Sequence, residues 1–413
     1  MTDSTAQRHQ PQVSTIVVDG QRIERVYVPT SGAEVAEMLA TADNLGQAII
    51  PFGGGTLLGL GNVPDRADAA LCTRALNRVL AHEPADLTLS VEAGASLAEV
   101  QAVLGEAGQW LPIEGPLPSE TTIGGLIATA FTSPRKLGSD GLRDLLVGIS
   151  VAHPTGAISK AGGTVVKNVT GFDMMRLYHG SLGTLGVILS ANFKVLPRPR
   201  AEATWRGSFE SLEQALGAGT KLLGLRGRPV ALEIVSVNDK EWTLFARYEG
   251  REGTVRLMTN EAAEAIGSPD SLAEDRGSAE LWQAMVDRYT SGRAQDRVLI
   301  RAATRPRDTP ILANAAAGLI ASIAGTTIQI SPGLGRVDIV IPAANVASES
   351  RDAVLAPIDA VATSVVIYDA PMEWKRDRDI WGATPDTLDV MRSLKNDFDS
   401  KRVLNPGRFA GSI

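Results

Sequence analysis

The sequence predicts an α+β protein in two parts, and three observations carry that prediction. From residue 15 to about 199, short β-type runs alternate with helices that open on Ser-x-x-Glu patterns. From about 200 to 413, longer β-type runs flank turn residues, the pattern of an antiparallel sheet backed by helices. Between them, Val195-Leu196-Pro197-Arg198-Pro199-Arg200 places two prolines where no regular element continues. The 413 residues suffice for two or three domains with real cores, and no repeat of solenoid period or low-complexity tract is present.

Element by element, residues 1–14 read as a disordered polar tail. Ile16-Val17-Val18 and the run from Ile23 to Val28 flank Asp19-Gly20, a two-residue hairpin signal. Ser31 and Glu34 form a capping-box pattern ahead of an apolar face of Val35, Met38, Leu39 and Ala42. Ala48-Ile49-Ile50-Pro51 is a short strand that runs into Phe52-Gly53-Gly54-Gly55-Thr56. A strand from Leu87 to Val91 precedes a second capping box, Ser96 and Glu99, with Val100, Val103 and Leu104 on the helix face. In the second part, runs 231–237 and 242–248 flank Asn238-Asp239 as a hairpin. Further strands are expected at 298–302, 327–330, 337–341 and 364–368, with helices at 311–323 and 343–355.

Composition narrows the function. With 44% hydrophobic and 21% charged residues the chain has the makeup of a folded globular protein. A net charge of −7 argues against a nucleic-acid binder, which needs a basic face. A single cysteine, Cys72, excludes an internal disulfide and an iron–sulfur cluster held by this chain alone; it reads as buried packing. No apolar run approaches the roughly 18 residues of a membrane span. The expected location is cytoplasmic, or at a membrane only through a partner.

Three glycine-rich segments carry the chemistry. Gly53-Gly54-Gly55-Thr56-Leu57-Leu58-Gly59-Leu60-Gly61 follows a strand, where a backbone without Cβ atoms can bring several N–H groups to an anion; a diphosphate is the natural guest. It is neither a Walker A loop nor the Rossmann fingerprint, and a tight turn is an equal reading. Pro118-Ser119-Glu120-Thr121-Thr122-Ile123-Gly124-Gly125 sets paired glycines at a helix entry, where close packing is the simpler explanation. The third runs from Gly162-Gly163-Thr164 through Lys167-Asn168-Val169-Thr170-Gly171-Phe172-Asp173 to Gly180-Ser181-Leu182-Gly183-Thr184-Leu185-Gly186-Val187-Ile188. So many glycines among β-branched residues suggest a flat ligand lying on bare backbone.

In this order and spacing the three segments resemble the FAD-binding domain of the vanillyl-alcohol oxidase / p-cresol methylhydroxylase (PCMH-type) superfamily. The third segment, Lys194-Val195-Leu196-Pro197-Arg198-Pro199 and the terminal Asn405-Pro406-Gly407-Arg408 resemble its branch of FAD-binding, E-type glycolate dehydrogenase (glycolate oxidase) subunits. The resemblance covers about 28–200 and 395–409. It implies a two-subdomain PCMH-type FAD-binding domain at 15–199. It also implies an α+β cap with an antiparallel sheet at 200–413, whose C-terminal tail returns to the flavin.

The resemblance further implies cofactor contacts. Gly53, Gly54, Gly55, Thr56 and Leu57 match the first pyrophosphate loop; Pro118, Thr121, Thr122, Gly124 and Gly125 match the second segment. Lys167, Gly171, Asp173, Gly183, Gly186, Val187 and Ile188 match positions around adenine and flavin, and Asn405 and Arg408 the returning tail. Covalent members of the superfamily often place a histidine in the first loop, where this chain has Thr56, so FAD is expected to be noncovalent.

No catalytic residue stands out. His153, His179 and Tyr178 are candidate bases, and for the two histidines a hydrogen-bonded structural role is the stronger reading. Arg143 and Arg176 are candidate clamps for a carboxylate, although Asp173 paired with a neighbouring arginine is the plainer role. Trp374 and Trp381, in a charged stretch, mark either a partner surface or a solvated helix with two anchoring tryptophans. Residues 200–413 contain no histidine, so the His-rich metal site of related D-2-hydroxy-acid dehydrogenases has no counterpart here. These points together suggest a subunit that passes electrons between a catalytic FAD subunit and an iron–sulfur subunit of a glycolate- or lactate-oxidising complex. The alternatives are a self-sufficient FAD oxidoreductase and a flavin-free scaffold subunit.

Overall fold

A computed structural model describes residues 15–163, 173–236, 241–290 and 296–413. The expected tail 1–14 and the Asn238-Asp239 turn lie outside the described residues, as do Lys167 and Gly171 of the third glycine-rich segment.

Among the described residues the first part holds two larger sheets and two two-stranded ribbons, one of which pairs Gln109–Trp110 with Leu196–Pro197. Val26–Tyr27, Ala69–Cys72 and Ile49–Phe52 form a parallel sheet with Ala69–Cys72 in the middle. Ile158–Gly162, Leu146–Ala152, Val187–Lys194, Thr88–Glu92 and Val79–Glu83 form an antiparallel one, in that order. The hairpin is shorter than its sequence suggests. Ile16–Val18 pairs with Gln21–Ile23 across Asp19 and Gly20, both at positive φ as a type I′ turn requires. The chain then leaves that ribbon, and Val26–Tyr27 joins the parallel sheet instead.

Helix Gly32–Leu45 buries Val35, Ala36, Leu39 and Ala42. Its capping box is only half made: Ser31 accepts from Glu34 N–H, but the Glu34 carboxylate reaches one residue further back to Thr30. The Ser96/Glu99 box on helix Leu97–Glu106 is complete.

The second part is one eight-stranded antiparallel sheet, so the chain as a whole is α+β. Its order is Ser271–Glu274, Ala201–Phe209, Trp242–Gly250, Ala231–Ser236, Thr327–Ser331, Arg336–Pro342, Arg297–Ala303, Ser364–Asp369. Strand alternation gives this sheet two unlike faces. Leu232, Ile234 and Leu244 pack beneath Gly219 of helix Leu212–Gly224. The registers put Glu233, Arg247, Gln329, Asp338 and Arg301 on the other face.

That polar face is turned toward the first part. Arg247 donates to Glu114 at 2.5 Å, Arg135 pairs with Glu249, and Arg336 donates to the Thr132 carbonyl at 2.9 Å. Helix Asp275–Asp287 adds Gln283 to the Gly115 carbonyl and Asp287 to Leu117 N–H. One apolar core runs through both parts, from Leu57 to Ile380, with smaller clusters around the parallel sheet.

The expected helix at 343–355 begins only at Arg351. Residues 343–350 make two single 3₁₀ turns first, and the α-helix is Arg351–Asp359. At the C-terminus Val403 and Asn405 exchange backbone hydrogen bonds with Ile49, which lays the tail along the parallel sheet.

Candidate functional site

The end of strand Ile49–Phe52 opens into a cavity of about 740 Å³, mouth included. Four stretches of chain wall it. The first is the glycine loop, with Gly53, Gly54, Gly55, Thr56 and Leu57 all on the wall. A Cβ on Gly54 would lie 1.8 Å from the Glu120 carbonyl oxygen, and one on Gly53 would lie 2.0 Å from Thr122 Oγ1. The glycines are therefore required by packing of the first loop on the second. Gly55 differs: it is open in space, and its requirement is φ +76°.

The second wall is Thr121, Thr122, Gly124 and Gly125, at the entry to helix Ile123–Thr129, where Thr122 Oγ1 accepts from Gly125 N–H. Thr56 and Thr121 hydroxyls join the two loops at 2.7 Å. The third wall is Leu182, Gly183, Gly186, Val187 and Ile188. The fourth is the tail, Asn405 and Arg408. Asn405 donates to the Leu182 carbonyl at 2.5 Å, and Arg408 donates to the Leu58 and Leu60 carbonyls at 2.6 and 2.8 Å.

Behind the tail, buried Lys395 bonds Asp399 and the carbonyls of Thr184 and Leu404, which sets the third wall and the tail side by side. The i,i+4 spacing of Lys395 and Asp399 is the one sequence signal for that support.

The electrostatics of this cavity favour an anion. Among the described residues, the amides of Gly53, Gly54, Gly55, Thr56 and Leu57 donate to no protein acceptor. Arg408 is 2% exposed, touches no carboxylate and leaves its Nε without a partner. Burial holds its guanidinium below the usual range, with Asp19 only partly offsetting that. Five free amides and an uncompensated buried cation beside an apolar wall of Phe52, Leu58, Leu60 and Ala128 suit a ligand with a diphosphate and flat rings.

Residues 23–162 match the family described as FAD binding domain. The chain carries an FAD binding domain. Its sequence relatives include glycolate oxidase subunit GlcE of Escherichia coli (strain K12), 32% identical over 208 residues, covering 50% of this chain and 55% of that protein. Glycolate oxidase subunit GlcD of Bacillus subtilis (strain 168) is 27% identical over 212 residues, covering 51% and 45%. D-lactate dehydrogenase of Archaeoglobus fulgidus is 27% identical over 279 residues, covering 66% and 61%. The matches thus span about half the length of these relatives. The fold reaches further: alkyldihydroxyacetonephosphate synthase superposes with a TM-score of 0.70 at 16% identity, over 94% of this chain and 77% of that one. The likeness in fold thus extends over both parts of the chain, the first part with its glycine segments and the antiparallel-sheet part.

Two expected contacts lie off the FAD-site wall. Pro118 is not on it, and its carbonyl instead accepts from Ala98 N–H. Asp173 is exposed and ion-paired with Arg176 at 2.5 Å, the plain pairing weighed from sequence. Pro51, Thr73, Ala128 and Thr129 join the wall from outside the glycine-rich segments, and Leu58 and Leu60 from within the first.

None of the candidate bases is on this wall. His153 sits behind Gly186, shares a 2.8 Å hydrogen bond with Ser159 and stacks near Tyr178 and Phe398. Burial pulls its pKa down and pushes that of the Tyr178 phenol up. His179 lines a second cavity with Arg143, Lys136, Asp144 and Glu114. Burial first and Arg143 second hold His179 below its usual pKa, so it is neutral near pH 7. Cys72 is buried, with Sγ toward the Gly53 carbonyl.

Trp374 and Trp381 are anchors rather than a partner surface. Trp374 is 2% exposed, and the Trp381 indole donates to the Arg408 carbonyl while packing edge-on against Phe409. Among the described residues no group of three His, Cys, Asp or Glu side chains is placed to hold a metal, and no helix is long and apolar enough to cross a membrane.

Proposed function

We propose that this chain is the FAD-binding subunit of a multi-subunit 2-hydroxy-acid dehydrogenase acting on glycolate or lactate, standing between a catalytic flavin subunit and an iron–sulfur subunit. FAD, when bound, supplies acceptance of two electrons and their onward release. The observation that carries the reading is the state of the cap face over the first part. Its buried arginines are already paired with the chain's own carboxylates: Arg301 with Asp338 at 2.7 Å, Arg247 with Glu114 and Glu202, Arg336 with Asp338 at 3.1 Å. With no histidine in 200–413, that face offers a hydroxy acid neither a free clamp nor an imidazole base. The GlcE and GlcD relatives are named as subunits of glycolate oxidase, which supports an assembly.

The second cavity favours the alternative of a self-sufficient oxidoreductase, because it holds Arg143 and a neutral imidazole together. A flavin-free scaffold would leave the five amides and Arg408 without purpose.

Isolation of the tagged chain from its native cell should bring down an iron-containing protein and a second flavoprotein in fixed ratio. Recovery of the chain alone, with its FAD and with turnover of a hydroxy acid, would select the alternative. The flavin itself should leave the polypeptide on acid precipitation, since no His, Cys or Tyr is on the described cavity wall. Colour retained in the washed precipitate would contradict noncovalent binding.

A further inference from the structure

Three consecutive carbonyl oxygens just beyond the glycine run, those of Leu58, Gly59 and Leu60, are held by two buried cations from outside the matched FAD binding domain. Arg408 takes Leu58 and Leu60, and Lys375 takes Gly59. Lys375 ends the short helix Met372–Lys375, is 2% exposed, and also bonds Asp19 Oδ1 at 2.5 Å in the turn of the N-terminal hairpin.

The segment around Lys375 is tied to the same loop at a second point. Asn62 accepts from Ile380 N–H at 2.8 Å and donates to Asp379, whose other oxygen accepts from Gly411 N–H at 2.6 Å. Loop, segment and tail are thus one hydrogen-bonded unit.

A peptide unit is planar, with its carbonyl and N–H on opposite sides, so holding the carbonyls fixes the rotation of each plane. The turn so fixed is the one that closes the free amides: Leu58 N–H returns to Gly55 and Leu60 N–H to Leu57. We infer that Lys375, with Asp19 as counter-ion, is a positioning residue for the diphosphate-binding loop. It grips the outer side of the turn so that the amides of residues 53–57 stay aimed into the cavity, and FAD retention depends on the docking of residues 371–382. The inference rests on the FAD binding domain alone and is independent of which substrate or partner the chain serves.

The test uses the purified flavoprotein, diluted so that released FAD is read by the rise in its fluorescence. Lys375→Met is expected to release FAD about tenfold faster than wild type, the loss of one charge-assisted contact. Lys401→Met, in an exposed pair with Asp43, is expected to leave the rate unchanged.

The double variant Asp19→Asn/Lys375→Met separates positioning from mere charge pairing. If the ammonium acts on the loop, the double variant releases FAD as fast as Lys375→Met. If the two charges only neutralise each other, it returns to the wild-type rate and the inference is overturned. Should Lys375→Met not fold, Asp19→Asn decides: release severalfold faster supports the inference, and a wild-type rate overturns it. A wild-type protein that takes up no FAD would instead overturn the cofactor assignment itself.

Discussion

Gly54→Val should yield a colourless protein. A Cβ on residue 54 would stand 1.8 Å from the Glu120 carbonyl oxygen and 2.6 Å from its carbon, both backbone atoms with no flexible end to swing away. Either the first glycine loop or the segment 120–122 must move, and both are cavity walls. Overpacking of this kind typically costs about 1–3 kcal/mol, and here the displaced atoms include the donors that fit the diphosphate. Loss of bound flavin by at least about a hundredfold in affinity is the expected result. Two graded controls sharpen it. Gly55→Ala meets no atom but must hold φ +76°, a penalty of about 1–2 kcal/mol, and should bind FAD more weakly without losing it. Gly105→Ala, inside helix Leu97–Glu106 with nothing within 4 Å, should leave flavin unchanged and raise the melting temperature slightly. The visible flavin absorbance per chain reads all three. Wild-type occupancy in Gly54→Val would mean that the two loops do not need this contact.

How far the sequence spoke depended on the range over which each signal acts. Ser96 with Glu99 is a purely local device, and it forms as read. Ser31 with Glu34 is also local, but Thr30 offers Glu34 a hydroxyl and an amide together, and the carboxylate goes there. The three glycine segments were individually ambiguous because a glycine looks the same whether it admits a ligand, a turn or another strand of backbone. Gly54 serves the last of these and Gly53 makes room for the Thr122 side chain, which only the positions of Glu120 and Thr122 could reveal. Arg408 was visible as part of a terminal motif, yet Lys375 was not. Its partners Asp19 and Gly59 lie more than 300 residues away, and no periodicity encodes such a contact. The charged stretch around Trp374 and Trp381 left two readings open for the same reason: local charge is compatible with a surface, and only the fold shows that stretch docked on the first glycine loop. The buried ion pairs of the cap face were equally hidden, since strand alternation predicts which residues share a face but not that carboxylates will pair with its buried arginines.

The isolated, FAD-loaded chain should fail to oxidise glycolate or D-lactate at a useful rate. Removing hydrogen from a 2-hydroxy acid needs a base for the hydroxyl proton and a cation for the carboxylate, and a placed base alone is typically worth about 10²–10⁴ in rate. On the wall of the first cavity the only described cation is Arg408, whose guanidinium is anchored by the Leu58 and Leu60 carbonyls, and no imidazole or carboxylate is present to act as a base. On the cap face, Arg301, Arg336 and Arg247 are engaged by Asp338, Glu114 and Glu202. Asp338 holds both Arg301 and Arg336, and Glu114 holds both Arg247 and Arg135, so freeing one arginine for a small acid would break into a shared, buried ion-pair network. Glu233 is no substitute base: burial pushes its carboxyl up to about 7, but it is fully buried and held by Ser331 and Gln329. Anaerobic mixing with each acid, followed by the flavin's visible absorbance, makes the measurement; dithionite should bleach the same sample, since it needs no base. Bleaching by either acid without a partner would place a working base in this chain. The second cavity would then be its site, and His179→Gln, with Arg143→Gln, should abolish the reaction. Bleaching that appears only after a co-purified catalytic subunit is added is the outcome that an electron-relaying subunit requires.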